Sequence, residues 1–232
     1  MTEMNLFVPK SVPLNWYRFD VPFSLELIGT FVKSVEQQAV ESITRYHTEK
    51  ELIEHHDEMI EVHDGLDSSS WDLEKVFTEH FPSLQRRSAL ITLHSFFETE
   101  LDKLCELYRQ EKHLDVAFSD LKGTGIDRST LYLEKVVGLN VHKQSTEWAA
   151  IRNIQAIRNC VVHRDARVDE NQDKAIINFI NASQSLSRNA ENEIVIGEGF
   201  LAFVLSTYGN YFHLIGESIA LKDSTKSTTA WL

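Results

Sequence analysis

Hydrophobic positions recur at helical spacing over most of this chain. Leu25, Ile28, Val32, Val35, Ala39 and Ile43 lie three or four apart, and Pro22-Phe23-Ser24 suits a helix start just ahead of them. The pattern turns polar through Glu49–Asp64, where Glu and His residues read as a solvated helix face. Gly65-Leu66-Asp67-Ser68-Ser69-Ser70 is the clearest linker, and a short helix over Trp71–Glu79, capped by Ser70, is expected to follow. Pro82-Ser83 opens a second long helix, to about His113, with the stripe Leu90, Leu93, Phe97, Leu101, Leu104 and Leu107. Arg128–Val137 predicts a short helix stopped by Gly138. A third main helix is predicted over Thr146–Val162, with the stripe Ala150, Ile154, Ile157 and Val161. Arg164–Asn171 reads as a charged loop and Asp173–Ser183 as a helix. The β-branched run Glu193-Ile194-Val195-Ile196-Gly197 suits a short strand or hairpin edge. The apolar Gly199–Leu221, with Phe200, Phe203, Val204, Tyr208, Phe212 and Ile215, predicts the last helix. Four long helices with short inserts predict an all-α helical bundle.

Composition supports the helical reading. The 232 residues include nine glycines and four prolines, and no proline follows Pro82. Residues 1–22 carry three of those prolines and the aromatic run Trp16-Tyr17-Arg18-Phe19, so they read as an extended N-terminal arm. The expected division is then an arm at 1–22, a long helix and linker at 23–82, the helical bundle at 83–222 and a polar tail at 223–232. Hydrophobic residues make up 42%, enough for a sizeable core and too many for a disordered chain. No apolar run approaches the length of a membrane span, and Met1-Thr2-Glu3-Met4-Asn5 lacks the basic and apolar regions of a signal peptide. The two cysteines, Cys105 and Cys160, sit in apolar helical segments and read as reduced thiols of a cytoplasmic protein.

Charge narrows the function classes. With 23 basic and 35 acidic side chains the formal net charge is -12, which argues against broad, charge-driven binding to duplex nucleic acid. A small basic pocket on an acidic body is compatible with that total. The segment that supplies one is Arg152-Asn153-Ile154-Gln155-Ala156-Ile157-Arg158-Asn159-Cys160-Val161-Val162-His163. Arg152 and Asn159, seven apart, lie near one line of the helix, and Asn159 and His163, four apart, share a face. Arg158 and His163 are five apart, which an unbroken helix splays by roughly 140°. They converge only if the helix ends near His163 or a second copy of the chain supplies one of them.

This segment resembles the active motif of HEPN (higher eukaryote and prokaryote nucleotide-binding) domains: Arg, four to six residues, then His, often with Asn directly after the Arg. Here the motif reads Arg158-Asn159-Cys160-Val161-Val162-His163, late in a helical chain, and the Leu90–Leu107 helix with Phe96-Phe97-Glu98 resembles the companion helix of such bundles. Arg87 and His94 also fit the loose spacing, without the Asn, and read as a chance match. The resemblance covers roughly residues 83–220. It implies a HEPN-like bundle, a two-fold homodimer with the site across the interface, and metal-independent cleavage of RNA. His163 would be the general acid/base, Arg158 the phosphate and transition-state cation, and Asn159 the positioning group, with Arg152 and Glu98 in support. An imidazole gives or takes a proton near neutral pH, and a guanidinium stays charged while gripping two phosphate oxygens. No cofactor or metal is required by these groups. The resemblance further implies a toxin or phage-defence effector, held by an antitoxin or another regulatory protein.

Blander readings compete for the same residues. His163 can serve as a cation at a helix C-terminus, and Arg158 can pair with a carboxylate, for which Glu98 is the candidate. The chain would then be a non-catalytic dimeric interaction or RNA-binding module. His47, His55, His56 and His63 with Glu51, Glu54 and Glu58 have spacings compatible with metal ligands but read as a solvated face. Gly123-Thr124-Gly125 lacks the ending and the preceding strand of a phosphate loop, and Cys160, between apolar neighbours, reads as a packed thiol.

Overall fold

The computed structural model describes residues 12–56 and 58–229, with the backbone alone for 225–229. Mostly helical, the chain also forms two small sheets, so the all-α expectation is corrected. In order the elements are α1 (Pro13–Asn15), α2 (Val21–Glu49), β1 (Glu51–His55), β2 (Glu58–His63), β3 (Leu66–Asp67), α3 (Leu73–Lys75), α4 (Phe81–Glu111), α5 (Gly125–Tyr132), α6 (Thr146–Arg164), α7 (Lys174–Ala182), β4 (Leu186–Arg188), β5 (Ile194–Ile196) and α8 (Phe200–Thr229). Wider π-helical turns at Trp16–Asp20, Val76–His80 and Leu133–Val137 join or extend these helices. The four long helices expected from the hydrophobic stripes are α2, α4, α6 and α8, of 29, 31, 19 and 30 residues.

Four expectations change. The arm is helical from Pro13, not extended, in its described part: Pro13, with φ fixed near the helical value, follows the extended Val12 and starts a helix. Residues 1–11 of the arm lie outside the described residues. Glu51–His63 is a hairpin, not a polar helix face. Its five pairs run without a slip from Glu51↔Val62 through Ile53↔Ile60 to His55↔Glu58. Residues directly opposite share a face, so the β-branched Ile53, Ile60 and Val62 lie on one side, where a helix would have turned Val62 away from the other two. His56 takes a left-handed conformation (φ 52) at the turn. The tail is helical as far as Thr229, because α8 passes Leu221 without a Gly or Pro to stop it. The short helix after the linker is capped by Asp72, whose carboxylate accepts from the Lys75 N–H at 3.1 Å, and not by Ser70.

Contacts divide the chain into two compact units. Unit one holds residues up to Leu27, Ser95–Ala149 and Ser206 onward; unit two holds Ile28–His94 and Ala150–Leu205. The division therefore cuts each of α2, α4, α6 and α8, and does not follow the boundaries expected at 22, 82 and 222. Unit one is built on aromatic stacking. Phe97 lies parallel to Tyr208 with centroids 4.2 Å apart, and Trp16 meets Phe212 edge-on at 5.7 Å. The buried Glu100 accepts from Trp16 Nε1 at 2.9 Å and from Lys103 Nζ at 2.7 Å, which satisfies a carboxylate that burial would otherwise penalise. Gly138 (φ 69) closes the turn after Val137, the left-handed position expected of a glycine there.

Unit two contains both sheets. Tyr46 stacks on Phe77 at 5.1 Å, and Leu73 is buried beside them. Tyr46 Oη donates to Glu61 at 3.1 Å and Lys50 Nζ to the same carboxylate at 3.0 Å, tying β2 to the end of α2. These two donors hold the Glu61 carboxyl below its ordinary range. The expected strand at 194–196 is β5, paired antiparallel with β4. It is fastened by buried groups of α4: Ser83 Oγ accepts the Ile196 N–H at 3.1 Å, and the Arg87 guanidinium donates to the Ile194 carbonyl at 2.6 and 3.2 Å.

Candidate active site

The Arg-Asn-x3-His segment lies within α6, all of it in unit two. Buried Ile151, Ile154, Ile157 and Cys160 form the inward face. The core stripe keeps the expected Ile154 and Ile157, with Ile151 and Cys160 in place of Ala150 and Val161, which are only partly buried. Arg152, Asn159 and His163 lie on the opposite, exposed side, with Val162 42% exposed beside them. Cys160 Sγ donates to the Arg167 carbonyl at 3.1 Å, and burial pushes its thiol up from the ordinary range, as suits a packed thiol and not a nucleophile.

Arg158 is half-buried. Its Nη1 donates to Asn159 Oδ1 at 3.1 Å, while its Nε is buried without a hydrogen-bond partner. Among the described residues Arg158 makes no ion pair. Glu98, its candidate partner, belongs to unit one, where its carboxylate lies against Gly125 at the start of α5. His163 is exposed and has no hydrogen bond or ion pair among the described residues. The helix end is closed by other groups. Asp165 and Ala166 turn left-handed (φ 52 and 63), and the Ala166 N–H donates to the Cys160 carbonyl at 3.1 Å. Arg164 grips Asp173 with two nitrogens, and Asp173 also accepts the Asp169 N–H at 2.8 Å. The Arg164 bonds hold the Asp173 carboxyl below its usual value.

α6 is unbroken from Thr146 to Arg164, so the chain places Asn159 and His163 one turn apart on one face and leaves Arg158 roughly 140° around from His163. One copy therefore presents Arg152, Asn159 and His163 in one row on the exposed side, with Arg158 linked to it through Asn159. An open groove of about 380 Å³, lined by Asn181, Arg188, Asn189 and Asn192, includes none of the motif residues.

The chance match in α4 has a different fate. Arg87 is buried on the Ile194 carbonyl with Glu193 at 3.8 Å, and His94 is fully buried. The histidine-rich segment is split between the end of α2 and the hairpin. Among the described residues, no group of three or more His, Cys, Asp or Glu side chains is placed to hold a metal ion. No helix of the described residues is long and apolar enough to cross a membrane. Sequence reasoning missed Asp173, the clamp on the end of α6; it stands nine residues from Arg164, at no spacing that a helix pattern would flag. Compared with family models, curated proteins and solved structures, the chain matches none.

Proposed function

We propose that this chain is a metal-independent endoribonuclease with a HEPN-like bundle, active as a homodimer in which the exposed α6 faces of two copies meet. The observation that carries the reading is the state of Arg158. It is a half-buried guanidinium with no carboxylate partner among the described residues and a buried Nε left unsatisfied, an arrangement that costs stability unless an anion completes it. A phosphate is such an anion. The exposed position of His163 agrees with a proton-transfer role, since no carboxylate or backbone carbonyl among the described residues bonds to it.

In this mechanism the RNA 2′-hydroxyl attacks the adjacent phosphorus. One His163 takes the hydroxyl proton, the Arg158 guanidinium balances the charge gathering on the phosphorane oxygens, and the 5′-oxygen leaves with a proton from the His163 of the second copy. The products are a 2′,3′-cyclic phosphate and a free 5′-hydroxyl. Asn159, holding Arg158 at 3.1 Å, sets the direction of the guanidinium. A second copy supplies what helix geometry withholds, because a two-fold axis beside α6 brings two motifs into one cleft. The net charge of -12 restricts RNA to that cleft or calls for a basic partner. A role as toxin or phage-defence effector, with an antitoxin as regulator, rests on the motif resemblance alone.

The test is RNA cleavage by the purified protein in excess EDTA, beside His163→Ala and Arg158→Ala. Cleavage leaving cyclic-phosphate ends, lost by about 10²–10⁴-fold in both variants while they fold and dimerise, supports the reading. Equal activity in all three removes these residues from the mechanism. Absence of cleavage across an RNA panel, in a protein that dimerises, favours a non-catalytic interaction module.

A further inference from the structure

The hairpin in unit two presents a strand edge to solvent. All five residues of β1 are exposed, and among the described residues the sheet order β1-β2-β3 leaves one edge of β1 without a pairing strand. In an antiparallel pair alternate residues turn their N–H and C=O groups away from the partner, so β1 offers unpaired backbone groups along that edge. Proteins usually blunt such an edge with charged side chains, Lys above all, or with Pro, a bulge or a very short strand, and the charges here are the carboxylates of Glu51 and Glu54. This one has neither Lys nor Pro, its register with β2 is unbroken over five pairs, and Leu52, Ile53 and Met59 are 65%, 42% and 63% exposed.

The charges beside the edge say what would cover it. Glu51 and Glu54 in β1, and Glu58 in β2, make no hydrogen bond or ion pair among the described residues. Glu61, by contrast, is neutralised by Lys50 and Tyr46. A second copy paired at this edge brings the same unpaired carboxylates to it, so the local charges repel. We infer that β1 is a docking edge for an extended basic segment of a protein partner, added as a further strand. Alternation fixes the pattern of that segment. Residues opposite Glu51, Leu52, Ile53 and Glu54 are basic, apolar, apolar and basic, an order that reads the same for parallel and antiparallel addition. The inference stands apart from the ribonuclease reading, because it uses none of the α6 residues.

The probe is a fluorescent peptide with a central Lys-Val-Val-Lys, titrated with the full chain by anisotropy. Controls are Glu-Val-Val-Glu, the permuted Val-Lys-Lys-Val, and a Lys-Val-Val-Lys peptide N-methylated on alternate amides. Salt-sensitive binding of Lys-Val-Val-Lys, at least about tenfold tighter than each control, is expected. The double variant Glu51→Lys/Glu54→Lys, at exposed positions that leave the fold intact, reverses the preference towards Glu-Val-Val-Glu. Equal binding of the N-methylated peptide overturns strand addition, and an unchanged preference in the double variant overturns the assignment to β1. So does the absence of binding at millimolar peptide. Self-association of the chain that Ile53→Pro abolishes would make the occupant a second copy and overturn the basic segment.

Discussion

Two arginine–histidine pairs of similar spacing have opposite fates in this molecule. Arg87 and His94 in α4 are buried, and the Arg87 guanidinium is spent on the Ile194 carbonyl of β5. Arg158 and His163 in α6 stand at the surface, the first linked only to Asn159 and the second to nothing among the described residues. Spacing alone does not separate them. The separation comes from which face of the helix carries the core stripe, and from whether a backbone carbonyl waits opposite the guanidinium. A fastened arginine stabilises a fold; an unfastened one is available to a ligand.

The largest effect that sharpens this contrast is catalytic. Arg158→Ala and His163→Ala are expected to lose about 10²–10⁴-fold in RNA cleavage, whereas His94→Ala protein that folds keeps its specific activity. A comparable loss in His94→Ala would break the distinction. Next comes stability. Arg87→Ala removes the guanidinium from the buried Ile194 carbonyl, while Glu193 keeps Arg167 and Asn189, and is expected to cost about 2–3 kcal/mol in urea unfolding. Arg158→Ala is expected to change stability by about 0.5 kcal/mol or less, or to raise it, since it removes an unsatisfied buried nitrogen. The smallest effect concerns the end of α6. Asp173→Asn should cost about 1 kcal/mol at pH 7. Its carboxyl is depressed in the folded state, so the stabilisation is present above the ordinary carboxylate range and lost as pH falls through the folded value. Wild type and Asp173→Asn should therefore converge in strong acid, measured as unfolding midpoints against pH; a constant gap would remove the ion pair from the explanation.

Much of this was legible beforehand, and the failures have physical reasons. The long helices follow from stripes such as Leu90, Leu93, Phe97, Leu101 and Leu104, all of them fully buried. The shared face of Asn159 and His163 follows from helix geometry alone. The hairpin was hidden because β1 buries nothing, so it shows no alternation, and because Glu, which recurs in both strands, is a weak strand former. Its turn uses His56 in place of the usual Asn-Gly or Asp-Gly signal. That Arg158 has no carboxylate partner among the described residues could not be read either, since Glu98 stood in the sequence as an equally good candidate and only the fold carries it to Gly125.

The packing of Cys160 has a practical consequence. Its thiol is 1% exposed and sits beside Asn159 in α6, so an alkylating reagent reaches it only when that helix opens. Cys105, fully buried in unit one, gives an internal reference in the same molecule. The ratio of the two labelling rates, each divided by the rate of the unfolded thiol, reports how much more easily the candidate site opens than the core of unit one, without a substrate. A bound oligonucleotide or partner that orders α6 would slow Cys160 and leave Cys105 unmoved, so the chain carries its own footprinting probe.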